Sequence, residues 1–151
     1  GFAPLVGRVL AENELLGDAL ELEITERVFL DPSKAAITDT LRKVTEMGVK
    51  LAIDDFGTGY SSLGYLKNFP FNRIKVDASF VRDIGIESGT ETIVKAIIAL
   101  SRSLEKSVTA EGVETELQLS FLRQNMCDEA QGFLLAHPAS ADNLDEILKP
   151  H

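Results

Sequence analysis

The chain has one cysteine, two histidines and 15 basic residues against 24 acidic ones. It has no apolar run approaching the ~20 residues of a membrane-spanning helix. Each shortage excludes something. The lone Cys127 cannot form an intrachain disulfide and has no Cys or His neighbour at zinc-ligand spacing, so it reads as a core thiol. His137 precedes Pro138 and His151 is terminal; neither joins a motif. The amino terminus shows no signal-peptide pattern, which sets the expectation of a cytoplasmic setting. A formal net charge of −9 argues against DNA, RNA polymers and anionic membranes, which require basic patches. It leaves open a small anionic ligand, because divalent cations reverse the local sign.

What is present is ordinary globular material: 151 residues, 44% hydrophobic, enough for one domain with a real core. Its order is strand, loop, helix, repeated. Leu20 to Thr25 alternates apolar and polar as a strand. Ser33 to Met47 reads as a helix with Ala36, Ile37, Leu41 and Val44 on its apolar face and Gly48 at its end. Val49 to Ile53 is a second strand, Ser61 to Lys67 a short helix, and Arg73 to Asp77 a third strand. Thr90 to Leu104 is the clearest helix, with Ile93, Ile97, Leu100 and Leu104 on one face. Ser107 to Glu111 is a fourth strand, Glu114 to Gln124 a helix, Glu129 to Leu135 includes a fifth strand, and Asp142 to Leu148 is a closing helix. Such alternation implies parallel βα units in one domain over residues 1–151, with no linker.

The stretch from Ile53 to Ser62 carries the most information. Two adjacent carboxylates, Asp54 and Asp55, stand where an apolar strand gives way to a loop bracketed by Gly57 and Gly59. Acids at the carboxyl end of a strand are how α/β enzymes build metal sites. Pleat parity extends the pattern. Glu21 and Glu23 share a face opposite Leu22 and Ile24; Asp54 lies with Ala52, Lys75 with Arg73 and Asp77, and Glu111 with Thr109. Glu23, Asp54, Lys75 and Glu111 therefore converge on one mouth of a barrel-like sheet.

These residues also carry a resemblance. Glu23-Ile24-Thr25-Glu26, the run Asp54-Asp55-Phe56-Gly57-Thr58-Gly59-Tyr60-Ser61-Ser62, Lys75-Val76-Asp77, Ala110-Glu111-Gly112-Val113-Glu114-Thr115 and Gln131-Gly132-Phe133 resemble, in order, the signatures of EAL-domain proteins. Those are bacterial cyclic-di-GMP phosphodiesterases with a modified TIM barrel. The resemblance runs from about Phe2 to Leu148, with Gly1 to Asp18 matching only the helix that leads into the first strand. The Glu-Ala-Leu signature itself is absent, as is the asparagine the family places before the Glu23 strand. The implied fold is a partial TIM-like (β/α) barrel of about five parallel strands with flanking helices, the last five of eight.

The resemblance implies metal-dependent hydrolysis of cyclic-di-GMP to pGpG with Mg²⁺ or Mn²⁺. Glu23 and Asp54 match ligands of one cation and Asp55 a residue that helps hold a second. Glu111 matches a general base or second-metal ligand, and Lys75 a lysine that positions the attacking water. Glu26 matches a glutamate steadying the loop of Phe56, Gly57, Thr58 and Gly59. Gln131 and Glu114 match residues beside the substrate. With two expected ligands outside the chain, the expectation is little or no activity alone, and self-association into a homo-oligomer through exposed sheet edges.

Every one of these residues has a plainer alternative. Asp54 and Asp55 can be turn caps, Glu23 an exposed strand residue as Glu21 is on an edge, and Lys75 with Asp77 a structural ion pair. Glu111 and Glu114 can cap the following helix, and Gln131 can be a satisfied core amide. Phe69-Pro70-Phe71 is a contact candidate as well as core. At the level of function the rival is a non-catalytic, degenerate domain serving as a nucleotide sensor or interaction module. A weaker rival is an unrelated barrel that stabilises an enolate.

Overall fold

The computed structural model describes residues 1–26, 35–58, 66 and 69–140. Helix α1 (Phe2–Glu12) turns Ala3, Val6 and Leu10 inward and ends where the Asn13 amide donates to the Val9 carbonyl at 2.8 Å. A 3-10 turn (Gly17–Ala19) leads into β1 (Glu21–Thr25). Then follow α2 (Ala35–Thr45), β2 (Lys50–Phe56), β3 (Arg73–Val76), α3 (Ala78–Arg82), α4 (Thr90–Ser103), β4 (Ser107–Ala110), α5 (Glu116–Gln124) and β5 (Glu129–Ala130). The five strands form one sheet in the order β1-β2-β3-β4-β5, every neighbouring pair parallel. That is the partial α/β barrel anticipated from the alternation of elements.

One face of the sheet makes the core. Leu51, Ile53, Ile74, Val76 and Val108 are fully buried against Val94, Ile97 and Ile98 of α4 and Leu119 and Leu122 of α5. Each such aliphatic side chain contributes roughly 1.5–3 kcal/mol by leaving water. A smaller cluster of Ala3, Val6, Leu10, Val44 and Val49 fixes α1 and α2 beside β1. The opposite face carries Glu21, Glu23, Ala52, Asp54, Arg73, Lys75, Thr109 and Glu129, as strand parity requires. This face is concave. Arg73 on β3 reaches Glu21 on β1 at 3.1 Å and pairs with Glu129 on β5. Each partner is two strands away, roughly 10 Å across a flat sheet, so only a curled sheet lets one guanidinium bridge both.

Several expectations shift. The second strand does not stop at Ile53 but continues through Phe56, and its pairing with β3 slips between Ile53 and Phe56. The buried stripe of α4 is Thr90, Val94, Ile97, Ile98 and Ser101, while Ile93 is exposed. Ala36 and Ile37 of α2 are likewise exposed, leaving Leu41 and Val44 as the residues that pack. Helix α5 starts at Glu116, because Thr115 caps it: the Thr115 hydroxyl accepts from Gln118 N–H and the Gln118 amide oxygen accepts from Thr115 N–H. The short α3 had no counterpart in the sequence reading. The helices expected over 61–67 and 142–148 lie outside the described residues, apart from position 66.

Candidate functional site

At the carboxyl ends of the strands, Lys75 is the centre of a charged cluster. Its side chain is only 8% exposed, and Nζ lies 2.6 Å from Glu23 Oε1, 2.6 Å from Glu111 Oε1 and 3.3 Å from Asp54 Oδ1. Burial penalises the ammonium, but its hydrogen bonds to Glu111 and Glu23 and the field of Asp54 outweigh that cost and hold its pKa above the ordinary lysine value. Lys75 is therefore a fixed positive charge. The Asp54 oxygen nearest to it is buried and has no partner in hydrogen-bond geometry among the described residues. Glu23, Asp54, Lys75 and Glu111 meet as pleat parity requires.

The second aspartate gets to the mouth by a different device. A regular strand would turn Asp55 to the face opposite Asp54. Instead Asp55 adopts φ 54°, a left-handed conformation that Asp tolerates better than most residues, at the same place where the β2–β3 register slips. This is a bulge re-aiming a side chain. Asp55 then faces Asp77. Burial, the charges of Asp54 and Asp77 and a hydrogen bond with Asp77 raise the Asp55 pKa, with Lys75 opposing. Burial would also raise that of Asp77, but hydrogen bonds from the Ser79 hydroxyl and backbone N–H, and from Asp55, bring it below the usual value. Asp77 is thus the N-cap of α3, accepting from Ser79 N–H at 2.9 Å, and not the ion-pair partner of Lys75. The pattern Asp77-Ala78-Ser79 carried that signal. Its meeting with Asp55 did not show in the sequence.

The loop after β2 is anchored at its start. Glu26, 4% exposed, accepts a 3.3 Å hydrogen bond from Gly57 N–H, and the Thr58 hydroxyl donates to the Asp55 carbonyl at 2.9 Å. Gly57 has φ 100°, and a Cβ there would stand 2.9 Å from the Phe80 ring, so both conformation and space demand glycine. Phe56, expected in the loop, is instead the last residue of β2 and is buried in the core. Gly59 lies outside the described residues. Glu111 follows β4 with its N–H bonded to the Val76 carbonyl at 3.2 Å. Next comes Gly112, at φ 69°, where a Cβ would lie 2.6 Å from that of Ala78.

Gln131 and Glu114 are not drawn into the cluster. Gln131 is exposed, so it is no core amide; its backbone bonds Ala110 and Val113. Glu114 is exposed too, and its N–H donates to the Gln118 side chain at 2.8 Å. Cys127 is half-buried, its thiol pushed up to about 11 chiefly by burial and donating to the Glu129 carbonyl at 3.2 Å, which fits a core thiol. One feature escaped the sequence reading: below the Lys75 cluster, Arg73 joins Glu21, Glu129 and the Thr109 hydroxyl (2.7 Å). Glu21 is thus on a terminal strand as expected, but it is partly buried and bonded to Arg73. Pleat parity had already grouped Arg73 with Lys75, but strand order was needed to bring β5 alongside.

Among the described residues, no three His, Cys, Asp or Glu side chains are grouped as ligands of one metal ion; the acids gather on an ammonium. The donor set nonetheless suits a hard divalent cation: carboxylate oxygens, with one buried Asp54 oxygen lacking a hydrogen bond. No helix among the described residues is long and apolar enough to cross a membrane.

The sequence matches the EAL domain family over residues 1–138. It is 44% identical over 154 aligned residues to the cyclic di-GMP phosphodiesterase NbdA of Pseudomonas aeruginosa, covering 100% of this chain and 20% of that protein. The fold superposes on the PaMucR phosphodiesterase in complex with c-di-GMP with a TM-score of 0.87 at 42% identity, covering 92% of this chain and 56% of that one. Klebsiella pneumoniae BlrP1, in a complex with manganese and cyclic-di-GMP, gives a TM-score of 0.79 at 37% identity over 89% of this chain and 35% of that one. The chain spans about a fifth of the length of the curated relatives it matches.

Proposed function

The chain belongs to the EAL domain family, and from that membership we propose that it carries the carboxyl-terminal part of a site for hydrolysing one phosphodiester of cyclic-di-GMP to give pGpG. The observation that carries this reading is the convergence of Glu23, Asp54 and Glu111 on Lys75 at the carboxyl ends of four consecutive strands, β1 to β4. Glu23 and Asp54 would hold one Mg²⁺ or Mn²⁺ and Asp55 would help hold a second. Bound there, such cations lower the pKa of a water and offset the charge of the phosphodiester. The protein's own part is positional. Lys75, permanently charged, orients a water or phosphate oxygen without occupying a ligand position. Glu111, held beside it, accepts the proton of an attacking water. Glu26 fixes the loop entry through Gly57 N–H, which sets where Asp55 points. Gln131 and Glu114, exposed at the same end, are left to contact the nucleotide.

Self-association through the strands at the two ends of the sheet, β1 and β5, goes with this reading, since parallel sheet edges invite further pairing. The cellular setting we assign is the bacterial cytoplasm. The test is hydrolysis of cyclic-di-GMP with Mg²⁺ or Mn²⁺ by the chain and by Asp54→Ala, alongside sizing chromatography. Turnover present in the first and absent in the second supports the reading; turnover in both would place the chemistry elsewhere. A second reading, a nucleotide sensor without turnover, draws on the engagement of the acids by Lys75 in place of a three-ligand group. Calorimetric binding of cyclic-di-GMP without hydrolysis would favour it.

A further inference from the structure

Lys75 stands where the charge of the chain meets the charge a divalent cation would bring. Its ammonium contacts Glu23 Oε1, Asp54 Oδ1 and Glu111 Oε1, and the first two belong to carboxylates assigned above to the cation. An ammonium and a divalent cation cannot share those oxygens closely, because like charges a few ångströms apart repel strongly in a partly buried site. The three contacts are unequal. Glu23 is 51% exposed on the terminal strand β1, and the Asp54 oxygen is outside hydrogen-bond geometry. Glu111 is 20% exposed and its backbone is tied to Val76. Lys75 also sits on a flexible four-carbon stem.

We propose that Lys75 is a displaceable counter-ion: it holds Glu23 and Asp54 converged, and gives up those two carboxylates while keeping Glu111 when a divalent cation takes them. This rests on the cation-binding reading above. Arg73 supplies an internal comparison. Its guanidinium occupies the same concave face one pleat period lower, but its partners are Glu21, Glu129 and Thr109. It adds to the general field and does not occupy the contested oxygens.

The experiment is calorimetric titration of the full chain with Mn²⁺ alone, without nucleotide, for the wild type, K75M, K75Q and R73M, with thermal unfolding of each with and without Mn²⁺. K75Q keeps a polar side chain should K75M fail to fold. Both Lys75 variants are expected to bind Mn²⁺ about tenfold or more tightly than wild type, the effect of removing a unit charge close to the site. R73M should stay within about threefold, its charge being farther and screened. Mn²⁺ should also raise the unfolding midpoint of the Lys75 variants more than that of the wild type, by mass action. Equal or weaker binding in the Lys75 variants, or equal tightening in R73M, overturns the counter-ion proposal while leaving the cation-binding reading intact. No Mn²⁺ binding by any of the four proteins overturns that reading, and the proposal with it.

Discussion

Two basic residues on one strand, two positions apart, have been given different work by their neighbours. Arg73 lies toward the amino ends of the strands and Lys75 toward the carboxyl ends. Arg73 meets two acids and a hydroxyl, Glu21 at Nε and both Glu129 and Thr109 at Nη1, and spans four strands by joining β1, β4 and β5 to β3. Lys75 meets three acids with a single ammonium. The lower layer spreads its contacts over two nitrogens of one planar guanidinium. The upper layer holds more negative charge than its cation can neutralise. In barrel folds the lower face serves stability and the upper face chemistry. Here the difference comes down to surplus: the lower cluster has one carboxylate more than its cation and the upper cluster two, so the upper has more charge to offer a cation.

The largest expected effect is on the upper layer. Lys75→Met should lower whatever cyclic-di-GMP hydrolysis the self-associated chain supports by on the order of 10²-fold or more, the usual cost of removing a charge aimed at the reacting group. It should also destabilise the chain in cation-free buffer by about 2 kcal/mol, less than the ~3–5 of a fully buried pair because Glu23 is half exposed. Steady-state assay and urea unfolding check both. Gly112→Ala should cost about 1–3 kcal/mol, since it combines φ 69° with a 2.6 Å approach to Ala78; an unchanged urea midpoint would mean the β4–α3 contact is looser than described. Arg73→Met should cost about 1–2 kcal/mol while leaving kcat within about threefold. A fall in kcat as deep as that of the Lys75 variant would dissolve the distinction between the layers.

The smallest effect concerns pH. The folded pKa of Asp55 is raised, so its contribution to stability is present below its unfolded value of 3.8 and is lost as pH rises through the folded one. Asp55→Asn should therefore gain stability relative to wild type as pH climbs from about 3 to 6. The folded pKa of Asp77 is lowered, so its contribution is present above 3.8 and lost as pH falls. Asp77→Asn should show the opposite trend. Parallel curves for the two variants would break the Asp55–Asp77 pairing.

Much of this arrangement was legible beforehand. Alternation in Leu20 to Thr25 and Arg73 to Val76 located strands, and a period of two assigned Glu23, Asp54 and Lys75 to one face. That reasoning works because pleat geometry depends only on backbone, which strands share. It failed where the backbone departs from the repeat. The positive φ of Asp55 breaks the alternation, and no residue near it announces a bulge. It failed again at Ile93 and Ile37, which fit the helical period but stand at the exposed margin of their helices, because period alone does not say where the neighbouring elements end. The Arg73 layer was half visible: its strand face was correct, but its reach to Glu129 follows from strand order and curvature, which only the folded sheet supplies.

The sequence separations within the Lys75 cluster have a consequence for the order of folding. Lys75 and Glu23 are 52 residues apart, and their meeting requires β1, β2 and β3 to be in register with one another. Parallel pairings of this kind close long loops before they are rewarded, which makes them slow to form. The charged cluster is therefore complete only when all three strands are paired in register. A chain stalled with one strand unpaired would keep most of its helices and core and yet have no site at all.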